Sequence, residues 1–176
     1  MYNEGRMLGV TVGIMVGIVI VMLVLRAINR DKKMKTDYDE MQKQIRGTGY
    51  KYAFYTVLIY EAVLLVVSMA VELPAEACVI HFSSIFLGVT VQVCYCIMKD
   101  AYIGLNTNVK RYVIIMGVVS LFNLLTAGMT WKNGEMIFDG KLQAPFINFL
   151  CGMMFVIMGA AAVVKYLADL KGENEA

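Results

Sequence analysis

The first residue with chemistry to account for is Glu61. It sits inside "AFYTVLIYEAVLLVVSM", residues 53 to 69, an otherwise apolar run long enough to cross a bilayer. A carboxyl group at that depth has two uses. Held neutral, it is a hydrogen-bonding group that ties one helix to its neighbours. Able to ionise, it is a proton or cation site, the role that intramembrane acids commonly serve. Two amides reach comparable depth on other apolar runs, Gln92 and Asn123. At 1.5 Å of rise per residue, Glu61 and Asn123 lie roughly 14 and 16 Å in from the same membrane face, and Gln92 about 9 Å in. Glu61, Gln92 and Asn123 are therefore expected to form an intramembrane polar cluster. No Lys or Arg shares that depth, so Glu61 is expected to be protonated at neutral pH.

Other reactive residue types lead to less. Cys78 and His81 stand three apart, just after Glu72 and Glu76, a spacing compatible with a shallow metal site but short of four assured ligands. His81 is the single histidine of the chain, better read as an interfacial or hydrogen-bonded side chain. Cys94 and Cys96 point about 200° apart on a helix and cannot chelate together. With Cys78 and Cys151 they read as thiols packed like small hydrophobes. There is no nucleophile elbow, no pair of intramembrane aspartates and no glycine-rich phosphate loop. The chain is expected to be no enzyme and to use no metal and no cofactor.

The elements that must position these residues follow from composition. Of 176 residues 59% are hydrophobic and 17% charged, against roughly a quarter charged in soluble domains. Five runs approach the length of about 20 apolar residues needed to span: 7–27, 52–71, 77–98, 112–130 and 144–164. The first is followed by "RAINRDKK" in place of a small-residue cleavage site, so it is expected to be retained. The fold class is therefore all-α, a single polytopic membrane domain with five transmembrane helices. Lys and Arg set its orientation. Eight lie between the first and second runs, three after the third and two in the tail, against Arg6, Lys132 and Lys141 on the other side. The positive-inside rule then places the N-terminus outside and the C-terminus in the cytoplasm. Tyrosines flank the inner ends and Trp131 the outer, as interfacial aromatics do. With the basic residues absorbed by topology and a net charge of +2, nucleic acid is not an expected partner.

In lipid, helices meet through small and polar residues. Gly9, Gly13 and Gly17 form two overlapping GxxxG patterns, a helix-packing stripe. His81, Ser84, Gly88, Gln92, Tyr95 and Lys99 follow one side of the third run; Ser120, Asn123, Ala127 and Thr130 mark the fourth, and Asn148, Gly152 and Gly159 the fifth. The last four helices are expected to form a compact bundle, with the first packed on it or on a second copy. Within 31–46, Met34, Tyr38, Met41 and Ile45 repeat at helical steps, an amphipathic segment that could lie on the inner leaflet or dock a cytoplasmic protein. It is expected to end at "GTG", Gly47–Gly49, where glycine lets the chain turn. Asn133-Gly134 and Asp139-Gly140 are turn dipeptides around a short strand-like run, predicting a small hairpin or capped loop at the bundle mouth. No sequence repeat supports inverted transporter halves.

The stretch "DEMQKQIRGTGYKYAFYTVLIYEA", Asp39 to Glu61, resembles a pattern found in an uncharacterised family of small bacterial integral-membrane proteins: Asp-Glu, a short polar helix, Ile-Arg-Gly, then an aromatic-rich entry into a span. That resemblance implies a multi-pass protein of the bacterial inner membrane, a cell-membrane localisation, and assigns no activity. The expected function is a non-enzymatic membrane interaction or accessory protein, its partners the lipid bilayer and either further copies of itself or another membrane protein. The rival is a small oligomeric proton- or cation-coupled permease working through Glu61.

Overall fold

The computed structural model describes Val19, Leu23, residues 38–102 and residues 109–175. Two compact units are distinguished, Met1–Asp37 and Tyr38–Ala176. The first predicted span, 7–27, and its stripe Gly9, Gly13 and Gly17 lie outside the described residues, apart from Val19 and Leu23, both helical and exposed. The second unit holds helices α1 (Glu40–Ala70), α2 (Ala77–Met98), α3 (Val109–Lys132) and α4 (Phe146–Glu175), with strands β1 (Ile137–Phe138) and β2 (Lys141–Leu142) between α3 and α4. Among the described residues, four helices are long and apolar enough to cross a membrane.

α1 begins where Asp39 and Gln42 form a reciprocal capping box, the Gln42 amide donating to Asp39 Oδ1 at 2.6 Å. It then runs unbroken through Gly47–Gly49, which corrects the expected turn and joins the end of the 31–46 segment to the following span. A glycine costs about 1 kcal/mol in a helix interior, too little to stop a long helix that packs along its length. Gly49 has a different use: a Cβ there would stand 3.1 Å from Cys96 Sγ and 3.3 Å from the Tyr95 ring, so it lets α1 press against α2. At 31 residues α1 is about 46 Å long, more than a hydrocarbon core of roughly 30 Å requires, and its first three turns project beyond the apolar part.

The four helices form one compact unit in which α2, α3 and α4 share a core and α1 packs on α2 alone. The main seams are α1 on α2, α2 on α4, and α4 on α3, and in α1 Gly49 is the buried residue. Close approach at two seams fixes this order. Gly88 of α2 receives Val57 and Ala53 of α1, and Gly152 of α4 receives Leu124 of α3, where Ser120 also donates to the Gly152 carbonyl at 3.1 Å. Gly159, grouped with Gly152 by spacing, has nothing near its missing Cβ. The core sits between α2, α3 and α4, where Val93, Ile97, Met116, Met154 and Met158 are buried with Phe86, Cys151 and Phe155 against them. Methionine suits this irregular seam because its unbranched thioether adapts to gaps.

The hairpin joins the ends of α3 and α4. Gly134 (φ +75°) closes α3 in a Schellman motif, with Glu135 N–H donating to the Thr130 carbonyl and Gly134 N–H to that of Trp131. Asp139 (φ +49°) and Gly140 (φ +73°) then form the two-residue turn expected of Asp-Gly, pairing Ile137 with Leu142 and Phe138 with Lys141. Leu142 is also held to the α1–α2 connection, donating to the Pro74 carbonyl and accepting from Glu76 N–H, both at 2.9 Å. All four helices thus have one end at the hairpin.

Candidate functional site

Glu61 lies on the α1 face that meets α2. Ser84 Oγ donates to its Oε1 at 2.5 Å, and His81 Nδ1 stands 3.3 and 3.2 Å from its two oxygens. Ser84 is fully buried in the seam, whereas the His81 side chain is 61% exposed and that of Glu61 34%, so the group is open along one edge. One step away, the Tyr60 and Ser83 hydroxyls meet at 2.5 Å. Tyr60 also borders an apolar groove of about 510 Å³ on the α1 edge, lined by Thr56, Val63, Val67 and Leu87.

The expected cluster of Glu61, Gln92 and Asn123 does not form. Gln92 bonds along its own helix to Cys96 Sγ at 3.8 Å, and Asn123 to the Val119 carbonyl at 2.8 Å. Depth matching failed because α3, which carries Asn123, forms no packed seam with α1. The α2 stripe is nevertheless one continuous interface: His81 and Ser84 face Glu61, Gly88 faces Val57, and Tyr95 stacks edge-on against Tyr52 with centroids 5.1 Å apart. His81, weighed in the sequence as a metal ligand with Cys78, is instead the partner of Glu61. Among the described residues no group of three or more His, Cys, Asp or Glu side chains is placed to hold a metal.

A second polar constellation closes the end opposite the hairpin. α2 terminates in a Schellman motif with Asp100 (φ +55°) in the left-handed position usually taken by glycine. Asp100 N–H donates to the Ile97 carbonyl, and the N–H of the buried Ala101 to that of Cys96. Carbonyls left over at this terminus are met from α1 and the residue before its cap: Gln42 Nε2 donates to Asp100 O at 2.7 Å, Arg46 Nη1 to Ala101 O at 3.3 Å, and Tyr38 Oη to Tyr102 O at 3.2 Å. The Arg46 guanidinium lies 4.3 Å from the Tyr38 ring centroid. From α4, Lys165 Nζ reaches Asp100 Oδ2 at 2.8 Å. An aspartate in this conformation costs about 1 kcal/mol relative to glycine, and the carboxylate is what Lys165 binds.

At the hairpin end, Lys141 and Glu72 pair at 2.6 Å across exposed surface. The hydrogen bond from Lys141, reinforced by its charge, holds the Glu72 carboxyl below the ordinary carboxylate range, and the same bond pushes Lys141 above the ordinary lysine value. Glu76 Oε2 accepts from Ala144 N–H at 3.0 Å, tying the start of α2 to the approach to α4.

Sequence reasoning missed the Glu61–His81–Ser84 contact and the role of Arg46. The first had a signal: His81 and Ser84 head the same stripe as Gly88, the residue of closest approach. The second had half a signal in Asp39-x-x-Gln42, which marks a helix start at residue 40. Comparison with family models, with curated proteins and with solved structures returns no match.

Proposed function

We propose that this chain is a non-enzymatic integral membrane interaction protein of the cell membrane, whose α1 edge docks a transmembrane helix of a partner or of a second copy. One observation carries the reading. Among the described residues α1 is packed on one side only, by α2, and beside it lie an apolar groove and a carboxyl–imidazole pair left partly uncovered. In hydrocarbon an uncovered polar pair is costly, whereas a neighbouring helix covers it and fills the groove. α3 presents exposed apolar residues such as Phe122 and Leu125, which suit lipid.

The basic residues favour the hairpin end outside and the Arg46 end in the cytoplasm. A membrane-impermeant thiol reagent added to intact cells then reaches the exposed Cys78; protection of Cys78 until the membrane is opened reverses the orientation. For the docking edge, photo-crosslinking residues at Val63 and Val67 are expected to capture protein in native membranes, while the same residue at Phe122 or Leu125 captures lipid. The mass of the adduct separates a second copy from another protein. Equal behaviour at both edges rejects the reading.

The rival reading, a small proton- or cation-coupled permease, is favoured by the contact of Glu61 with His81. It requires Glu61-dependent flux through proteoliposomes that contain this chain alone.

A further inference from the structure

We infer that Glu61, His81 and Ser84 form a proton-binding site that opens toward the hairpin end of the α1–α2 seam and is closed toward the other end. The inference rests on the seam's geometry, with a helix docked on α1 covering the pair from the side and leaving the hairpin end as its opening.

Hydrogen-bond counting shows why the site accommodates either protonation state. The Ser84 hydroxyl has one proton and two acceptors within reach, Glu61 Oε1 at 2.5 Å and the His81 carbonyl at 3.0 Å. With Glu61 ionised, Ser84 donates to the carboxylate and His81 Nδ1–H donates beside it. With Glu61 protonated, its own O–H donates to Ser84 Oγ and the serine proton turns to the His81 carbonyl. Uptake therefore forms one O–H bond with a proton from water, expels nothing, and leaves no buried donor or acceptor without a partner.

The path to the site is one-sided. His81 is the fifth residue of α2, about 6 Å from its start by helical rise, so the site lies within about a turn of the helix end that meets the hairpin. In the opposite direction the seam tightens at once. A Cβ on Gly88 would stand 2.6 Å from Val57 Cγ2 and 3.4 Å from the Ala53 carbonyl, so the helices meet there without room for water. Beyond that contact come the Tyr52–Tyr95 ring pair and Gly49 against Cys96. Neither Ala53–Tyr60 of α1 nor Ile85–Cys94 of α2 contains a carboxylate, imidazole or amine to pass a proton onward.

The charged surroundings are equally sparse. α2, the helix packed on Glu61, contributes His81; the nearby Tyr60 phenol is bonded to Ser83. α4, packed on the far side of α2, carries no charged residue between Phe146 and Val164. At the hairpin end Glu76 is bonded to Ala144 and Cys78, and Glu72 to Lys141. Among the described residues Glu61 and His81 thus have, apart from the Tyr60 phenol, only each other as ionisable neighbours within the apolar part of the seam. The site loads and unloads from one side without carrying protons across.

Infrared difference spectra of the full chain in lipid nanodiscs, titrated between about pH 4 and pH 9 to bracket free Glu and His values, read the site directly. The expected result is a protonated-carboxyl stretch that titrates in the wild type and is absent from the Glu61→Gln spectrum. Its midpoint should move by about one unit or more in His81→Gln, which replaces the ring beside the carboxyl oxygens. Glu61→Asp is the second variant, needed if Glu61→Gln fails to insert; it should shift the band without abolishing it. Proteoliposomes given an acid pulse should admit protons no faster than protein-free vesicles. A band unchanged by substitution at residue 61, or a midpoint indifferent to His81→Gln, overturns the site. Proton entry abolished by Glu61→Gln overturns its closure.

Discussion

Replacing Gly88 by leucine is expected to separate α1 from α2 and to lower the melting temperature of the chain in detergent more than any other single glycine replacement in α2 or α3. The reason is local. A Cβ at residue 88 meets Val57 Cγ2 at 2.6 Å, and valine cannot easily rotate away because its β-branch leaves one favoured χ1 in a helix. Behind it the Ala53 carbonyl at 3.4 Å is backbone and cannot yield without moving α1 as a whole. Overpacking of this kind typically costs about 1–3 kcal/mol, and leucine adds three more heavy atoms to a contact with no space for the first. Gly117→Leu and Gly128→Leu provide the comparison, since nothing lies within 4 Å of a Cβ at either position. They lose no contact and gain helix propensity of up to about 1 kcal/mol. The Gly88→Leu protein should also lose the Glu61–Ser84 hydrogen bond, visible as a change in the carboxyl stretch. If the three leucine variants melt together, Gly88 is not the point of closest approach.

Much of this arrangement was readable in the sequence, and the failures have a common cause. The bounds of α2 coincide with a run chosen on hydropathy alone, 77–98, because a span is a local property of about 20 residues. The Asp139-Gly140 turn was legible for the same reason: two consecutive positive φ values favour those residue types whatever surrounds them. The stripe from His81 to Tyr95 was correctly one face, because helical period is local too. The order of the helices was not local. Glu61 was matched by depth to Gln92 and Asn123 on the assumption that four helices close into a bundle, in which every helix can reach the centre. Here α3 forms no packed seam with α1, and Asn123 turns to its own backbone. Gly47–Gly49 failed in the same way. Glycine serves both turns and close approach, and the deciding contact at Gly49 is Cys96 on another helix.

Arg46→Ala is expected to loosen the end opposite the hairpin while leaving the Glu61 site intact. Arg46 is half-buried at the start of α1, and its Nη1 is the side-chain donor that reaches the Ala101 carbonyl, at 3.3 Å. Its guanidinium also lies over Tyr38, whose hydroxyl holds the Tyr102 carbonyl. Removing Arg46 therefore weakens two attachments of residues 101 and 102 at once. A hydrogen bond from a charged donor contributes about 1.5–3 kcal/mol and an exposed cation–π contact about 0.5–1 kcal/mol. The 3.3 Å length argues for the lower part of the first range, so a loss of about 2 kcal/mol is expected. Arg46→Lys separates charge from shape, because an ammonium lacks the planar fork that both donates to the carbonyl and stacks on tyrosine. It should recover less than half of the loss. Hydrogen exchange locates the effect: amides of Asp100 and Ala101, bonded to Ile97 and Cys96, should exchange faster in Arg46→Ala, while those of Ile80 and Ser84 near the hairpin end keep wild-type rates. Uniform acceleration would mean that Arg46 supports the whole unit, and unchanged exchange at Asp100 and Ala101 would mean that Gln42 and Lys165 hold that terminus without it.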